Sequence, residues 1–141
     1  MDKTENTSKN RIIIDDGNNV AENLKKGFDL AFNKAFQENK SISLIAITKN
    51  ILKKNLNTIY GENFLKEIEL TGTITIQKKM FNINIMTEKT VSKILPYNIA
   101  LYVYPTKQLL QLMEEKEHIT DEIVIKYQDK DIEDYKAKWN L

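Results

Sequence analysis

Two apolar runs, at residues 42–47 with one serine and at residues 99–104, constrain the fold of this chain more than any other feature. Each run is far shorter than the roughly 20 residues of a membrane span. Each is also too uniformly apolar for a strand that has one face in water. Such runs are typical of strands buried on both faces of a parallel sheet. Parallel strands need crossover connections, so helices are expected before and after each run.

The spacing of apolar residues predicts those helices. Apolar side chains recur at steps of three and four before the first run, at Val20, Leu24, Phe28, Ala31, Phe32, Ala35 and Phe36. This is the pattern of one buried helix face. Similar spacing occurs at residues 51–68, with an interruption at Gly61, and at residues 109–113 and 132–139. Short apolar runs predict the first strand at residues 11–14 and the last at residues 123–125.

Residues 72–86 have a different period. Apolar and polar side chains alternate on both sides of Lys78-Lys79, which predicts a β-hairpin with one wet face. The full order is β-α-β-α-β-β-(α)-β-α-β-α, where the bracketed helix is expected between the hairpin and the second apolar run. This order predicts an α/β fold, a Rossmann-like or flavodoxin-like three-layer sandwich. Its sheet is expected to be mostly parallel, and the hairpin makes it mixed.

Length and composition limit the function further. A chain of 141 residues has the size of one domain. We predict a polar disordered leader at residues 1–10 and a single domain at residues 11–141. The chain has no cysteine and one histidine, His118. These counts exclude disulfides, thiol catalysis and cysteine-based zinc sites, and they argue against a histidine-rich metal site.

The charge of the chain is balanced, with 21 basic and 20 acidic residues. It therefore lacks the strongly basic field of a dedicated DNA-binding domain, and its single arginine, Arg11, argues against nucleic acid as the main partner. No apolar run approaches a membrane span, and the N-terminus lacks a hydrophobic signal core. We therefore expect a cytoplasmic protein that does not bind membranes. Its 20 Lys and 15 Asn are typical of an AT-rich bacterial genome.

Two loops that follow the apolar runs resemble each other. Thr48-Lys49-Asn50 follows the first run, Thr106-Lys107 follows the second, and a helix starts after each. Ligands of open α/β sheets bind beyond the carboxyl ends of the strands. A helix N-terminus beside a lysine suits a phosphate or a carboxylate, although simple helix capping is the more common role of a threonine at this position. The loops predict an anion site if their two strands are neighbours or flank the switch point of the sheet.

Two adjacent carboxylates, Asp15 and Asp16, follow the first predicted strand. Their oxygens could hold Mg²⁺, which prefers such ligands. In the alternative interpretation, one carboxylate caps the next helix and the other is solvated. Neighbouring residues of a strand point to opposite faces, so the two side chains need not converge.

Residues 12–21 read Ile-Ile-Ile-Asp-Asp-Gly-Asn-Asn-Val-Ala. This segment resembles the opening of NYN/PIN-type ribonucleases, in which an Asp-Gly-x-Asn-Val-like turn follows a hydrophobic strand. The resemblance implies that Asp16 is a metal ligand and that Asn18 or Asn19 supports the site. That family also uses acids at later strand ends to hold the metal and activate water. The candidates after the last predicted strand are Asp129 and Asp131.

These observations favour a non-enzymatic α/β module without a cofactor. It would bind an anionic small molecule, phosphate- or nucleotide-like, or it would serve as an interaction subunit for a protein partner. The alternative is a Mg²⁺-dependent NYN/PIN-like ribonuclease that uses Asp15, Asp16 and Asp129. A third hypothesis is a homodimer that pairs through the β-hairpin.

Overall fold

The computed structural model describes residues 9–15 and 19–141. The strands are β1 (Asn10–Ile14), β2 (Ile42–Ala46), β3 (Thr73–Ile76), β4 (Lys79–Thr87), β5 (Ile99–Val103) and β6 (Asp121–Ile125). The helices are α1 (Val20–Glu38), α2 (Lys49–Tyr60), α3 (Glu62–Thr71), α4 (Lys107–Met113) and α5 (Glu133–Trp139), and a 3₁₀ turn covers Asp129–Asp131. The predicted interruption at Gly61 separates α2 from α3.

All six strands belong to one sheet in the order β1-β6-β5-β2-β4-β3. Every neighbouring pair is parallel except β3 and β4, which are antiparallel. The predicted mixed, mostly parallel sheet is therefore confirmed. The two uniformly apolar runs form the central strands β5 and β2, where every residue is buried.

Helices cover both faces of the sheet and complete the predicted three-layer sandwich. On one face, α1, α2 and α3 bury residues such as Phe28 and Leu52. On the other face, α4 and α5 bury Leu110 and Tyr135 against Tyr102 of β5. No helix in residues 9–15 and 19–141 is long and apolar enough to cross a membrane.

Two predicted segments need comment, the helix before β5 and the N-terminal leader. The expected helix between the hairpin and β5 does not form, because residues 88–93 make hydrogen-bonded turns that start at the carbonyl of Thr87. The predicted leader at residues 1–10 falls mainly outside the described residues. Its described end is ordered: Asn10 begins β1, and the Lys9 ammonium donates to the carbonyl of Lys116 at 3.0 Å.

The hairpin between β3 and β4 has a two-residue turn, Gln77-Lys78. Both residues have positive φ angles, 49° and 68°. This is the signature of a type I′ turn, which matches the twist of the flanking strands and usually needs Asn-Gly. The predicted wet face is present, since Thr75 and Asn82 are exposed while Ile74 and Phe81 are buried.

Gly27 lies in the middle of α1, where the helix packs closely on β6. A Cβ atom at this position would meet the Ile125 side chain at 2.4 Å from Cδ1 and 2.7 Å from Cγ1. We expect Gly27→Ala to destabilise the protein, because overpacking costs about 1–3 kcal/mol and the gain in helix propensity returns only about 1 kcal/mol. Urea denaturation measures the change. In the Ile125→Val background the loss should shrink, and an equal loss there would contradict the steric explanation.

Candidate functional site

The sheet has a topological switch point between β2 and β5. These strands are neighbours, with Ala46 in register with Val103 at their carboxyl ends. The chain leaves β2 toward α2 on one face and leaves β5 toward α4 on the opposite face. The two connections diverge and leave a crevice, which is where open α/β sheets bind their ligands.

A cavity of about 380 Å³ lies at this crevice. We call it the switch-point cleft, and its walls include Ile47, Ile51, Tyr104, Thr106, Tyr127 and Asp131. Its lining is mostly apolar and aromatic, although Ile47 and Tyr127 are 47% and 65% exposed. The rings of Tyr104 and Tyr127 make an edge-on contact at 5.3 Å between centroids. Ligand pockets commonly combine such apolar walls with a few polar groups.

Tyr104 has an unusual backbone conformation for a bulky residue. Its φ angle is 54°, in the left-handed region that side chains rarely adopt. Its N–H donates to the carbonyl of Ile125 at 2.8 Å, which ties the end of β5 to the end of β6. Backbone strain of this kind clusters at ligand sites, where the surrounding structure holds it in place. The strain therefore marks the same end of the sheet as the switch-point rule.

The structure brings the two predicted threonine loops to adjacent strand ends. Thr106 caps α4 by accepting from the N–H of Leu109 at 3.2 Å, and its hydroxyl donates to Glu88. The carboxylate of Glu88 would oppose an anion at that position. Thr48 is the N-cap residue of α2 but makes no side-chain cap bond, and the next residues, including Asn50, are exposed.

The structure does not bring the two predicted lysines into one cavity. Lys107 pairs with Asp134 at 2.6 Å beside α5, and the hydrogen bond to Asp134 raises the pKa of Lys107. Lys49 lines a different cavity, between α2 and the strand β4. The lysines separate because their helices lie on opposite faces of the sheet.

The acids of the ribonuclease alternative are only partly described. Asp16 and Asn18 lie outside the described residues. Asp15 is exposed, and Asp129 is hydrogen-bonded to Lys126, which lowers the pKa of Asp129 and raises that of Lys126. Within the described ranges, no group of three Asp, Glu or His side chains is placed to hold a metal ion.

A buried polar cluster, which the sequence does not predict, surrounds Glu122 of β6, a residue that is 3% exposed. Its carboxylate accepts from Tyr102 Oη at 2.5 Å, Tyr135 Oη at 3.2 Å and Arg11 Nε at 3.2 Å. The Arg11 guanidinium also lies 3.4 Å from the ring centroid of Trp139. Burial, followed by the charge of Glu122, raises the pKa of Tyr102, so its hydroxyl remains a proton donor.

The preceding residue, Asp121, is fully buried on the opposite face of the sheet. Its carboxylate accepts from Asn10 and Thr120, and it lies 3.1 Å from the ammonium groups of both Lys34 and Lys40. Burial raises the pKa of Asp121, but these bonds together outweigh burial and hold it below 3.8. Both acids stand at the start of β6, the opposite end from the switch-point cleft, so we assign them to stability.

Comparison of the chain with protein-family models, with curated proteins and with solved structures finds no match.

Proposed function

We propose that this protein is a non-enzymatic module that binds a nucleotide-like small molecule, one with a flat ring and an anionic group. The observation that carries the proposal is the switch-point cleft, which opens between two adjacent strand ends and has two tyrosines in its wall. The ring would enter the cleft and the anion would lie at its rim. The proposal assigns no catalytic step.

The walls of the cleft suit a planar ring. Ile47 and Ile51 offer aliphatic surface from the α2 side, and Tyr104 and Tyr127 offer aromatic surface from the strand ends. Base–aromatic stacking contributes about 1–3 kcal/mol and tolerates different bases. Asp131, also in the wall, can accept a hydrogen bond from an amino group or a sugar hydroxyl.

The anionic group fits the start of α2 better than the start of α4. The first N–H groups of a helix lack intrahelical partners, and at α2 the side chain of Thr48 does not occupy them. At α4 the hydroxyl of Thr106 already serves as the cap, beside the carboxylate of Glu88. We therefore place the anion at Thr48 and the backbone of Lys49 and Asn50, with Lys107 outside the site.

Titration calorimetry with adenosine and guanosine monophosphates, adenosine and inorganic phosphate tests the proposal. We expect Tyr127→Ala to weaken binding of the monophosphates about five- to hundredfold, through the lost stacking. Leu70→Ala is the control, because Leu70 is 83% exposed and lies outside the cleft. The proposal fails if no probe binds at millimolar concentration, or if Tyr127→Ala leaves the affinity unchanged.

A further inference from the structure

We propose that the carboxyl half of β4 is a docking site for an extended acidic segment of a partner protein, which adds to the sheet as a short strand. β4 has nine residues, but β3 pairs only with its first four, Lys79 to Asn82. On its other side β4 pairs with β2 through residues 83–87. Among the described residues, no strand lies beside residues 84–87 on the β3 side.

We call the β3 side of residues 84–87, beside which no described strand lies, the edge of β4. The register of the strands identifies the hydrogen-bonding groups on this edge. The N–H of Ile83 donates to the carbonyl of Gly72, on the β3 side. Backbone groups of a strand point to the same side at every second residue, so the N–H and C=O of Ile85 also face that side. The edge ends at Thr87, because the N–H of this residue already donates to the hydroxyl of Thr90 at 2.8 Å. Ile85 therefore offers one donor and one acceptor to an incoming strand.

A cavity of about 340 Å³ borders the edge and separates it from α2 and the end of α3. Its lining includes Ile85, whose half-buried side chain packs on the same face of the sheet as α2 and α3. The cavity offers space beside Ile85 for the side chains of an incoming segment.

The charges of the cavity select an acidic occupant. Lys53 is neutralised by Glu69 at 2.9 Å. Lys49, by contrast, forms no ion pair within residues 9–15 and 19–141, so the cavity carries one unmatched positive charge. Main-chain bonds give affinity in strand addition and side-chain contacts give specificity. A carboxylate that reaches Lys49 would provide that specificity.

Proton–nitrogen correlation NMR with amide hydrogen exchange tests this proposal on the full chain. The probe is a blocked pentapeptide of alternating valine and glutamate, and the comparison peptides replace glutamate with lysine or the central residue with proline. We expect the acidic peptide to shift the amide signals of residues 83–87 and to protect the Ile85 amide from exchange. The lysine and proline peptides should bind about two- to fivefold more weakly, because one lacks the ion pair and the other lacks a backbone donor.

Two charge-reversal variants test whether Lys49 recognises the acidic segment. Lys49→Glu should weaken binding of the acidic peptide about two- to fivefold, whereas Lys54→Glu on the exposed side of α2 should leave it unchanged. Neither lysine forms an ion pair in the described chain, so both variants are expected to fold. Absence of shifts at residues 83–87 at millimolar peptide overturns the proposal, and so do shifts without protection of the Ile85 amide or an equal effect of the two variants.

Discussion

Replacing Glu122 with alanine is expected to lower the free energy of unfolding by about 3–5 kcal/mol at pH 7. The change removes the carboxylate that lies 3.2 Å from Nε of Arg11, whose side chain is only 8% exposed. It also removes the acceptor of the hydroxyls of Tyr102 and Tyr135. A loss of this size is a large part of the stability of an ordinary domain. Urea denaturation followed by circular dichroism measures it.

Two further variants separate the charge from the packing. Glu115→Ala removes the same charge from an exposed position and should change stability little. In the double variant Arg11→Met/Glu122→Met both charges disappear together, and the stability should recover in part, because apolar replacements of a buried ion pair are often neutral or better. The recovery is partial because the hydroxyls of Tyr102 and Tyr135 still lack their acceptor. If the double variant is as unstable as Glu122→Ala, the lost charge pairing between Glu122 and Arg11 is not the main cause of the lower stability.

The sequence predicts the strands and layers well because their signals are local. Uniformly apolar runs identify β2 and β5, and the spacing around Phe28 identifies α1. The sequence does not predict the start of β6, because acidic residues are uncommon in buried strands and Asp121 and Glu122 precede the predicted strand. Only the tertiary structure brings them their partners, from β1, α1 and α5.

The candidate site was less predictable, because it depends on strand order and on the face that each helix covers. The loops Thr48-Lys49 and Thr106-Lys107 look alike in sequence and do lie on adjacent strands. Their lysines nevertheless diverge, because α2 and α4 pack on opposite faces of the sheet. No residue in either loop specifies the face on which its helix packs. Tyr104 likewise combines a left-handed backbone with a hydrogen bond to a long-range partner, the carbonyl of Ile125, and neither feature has a local sequence signal.

The second large effect is expected at Asp121. Asp121→Asn should lower the free energy of unfolding by about 3 kcal/mol at pH 7, the lower end of the range for breaking a buried ion pair. The lower end applies because its partners Lys34 and Lys40 have side chains that are 18% and 25% exposed, so water can partly solvate them after the change. The matched control is Asp134→Asn, which breaks the exposed pair with Lys107 and should alter stability little.

The effect of Asp121→Asn should depend on pH in a defined direction. The pKa of Asp121 lies below its ordinary value of 3.8 in the folded protein, so the folded state binds this proton less readily than the unfolded chain. The carboxylate therefore stabilises the fold fully above that value and loses its contribution as the pH falls through the folded pKa. Urea titrations at pH 7, 5 and 3 should show a constant gap between wild type and variant at pH 7 and 5, and a smaller gap at pH 3. A gap that is unchanged at pH 3 and below would mean that the lysine and hydrogen-bond partners do not act through the charge of Asp121.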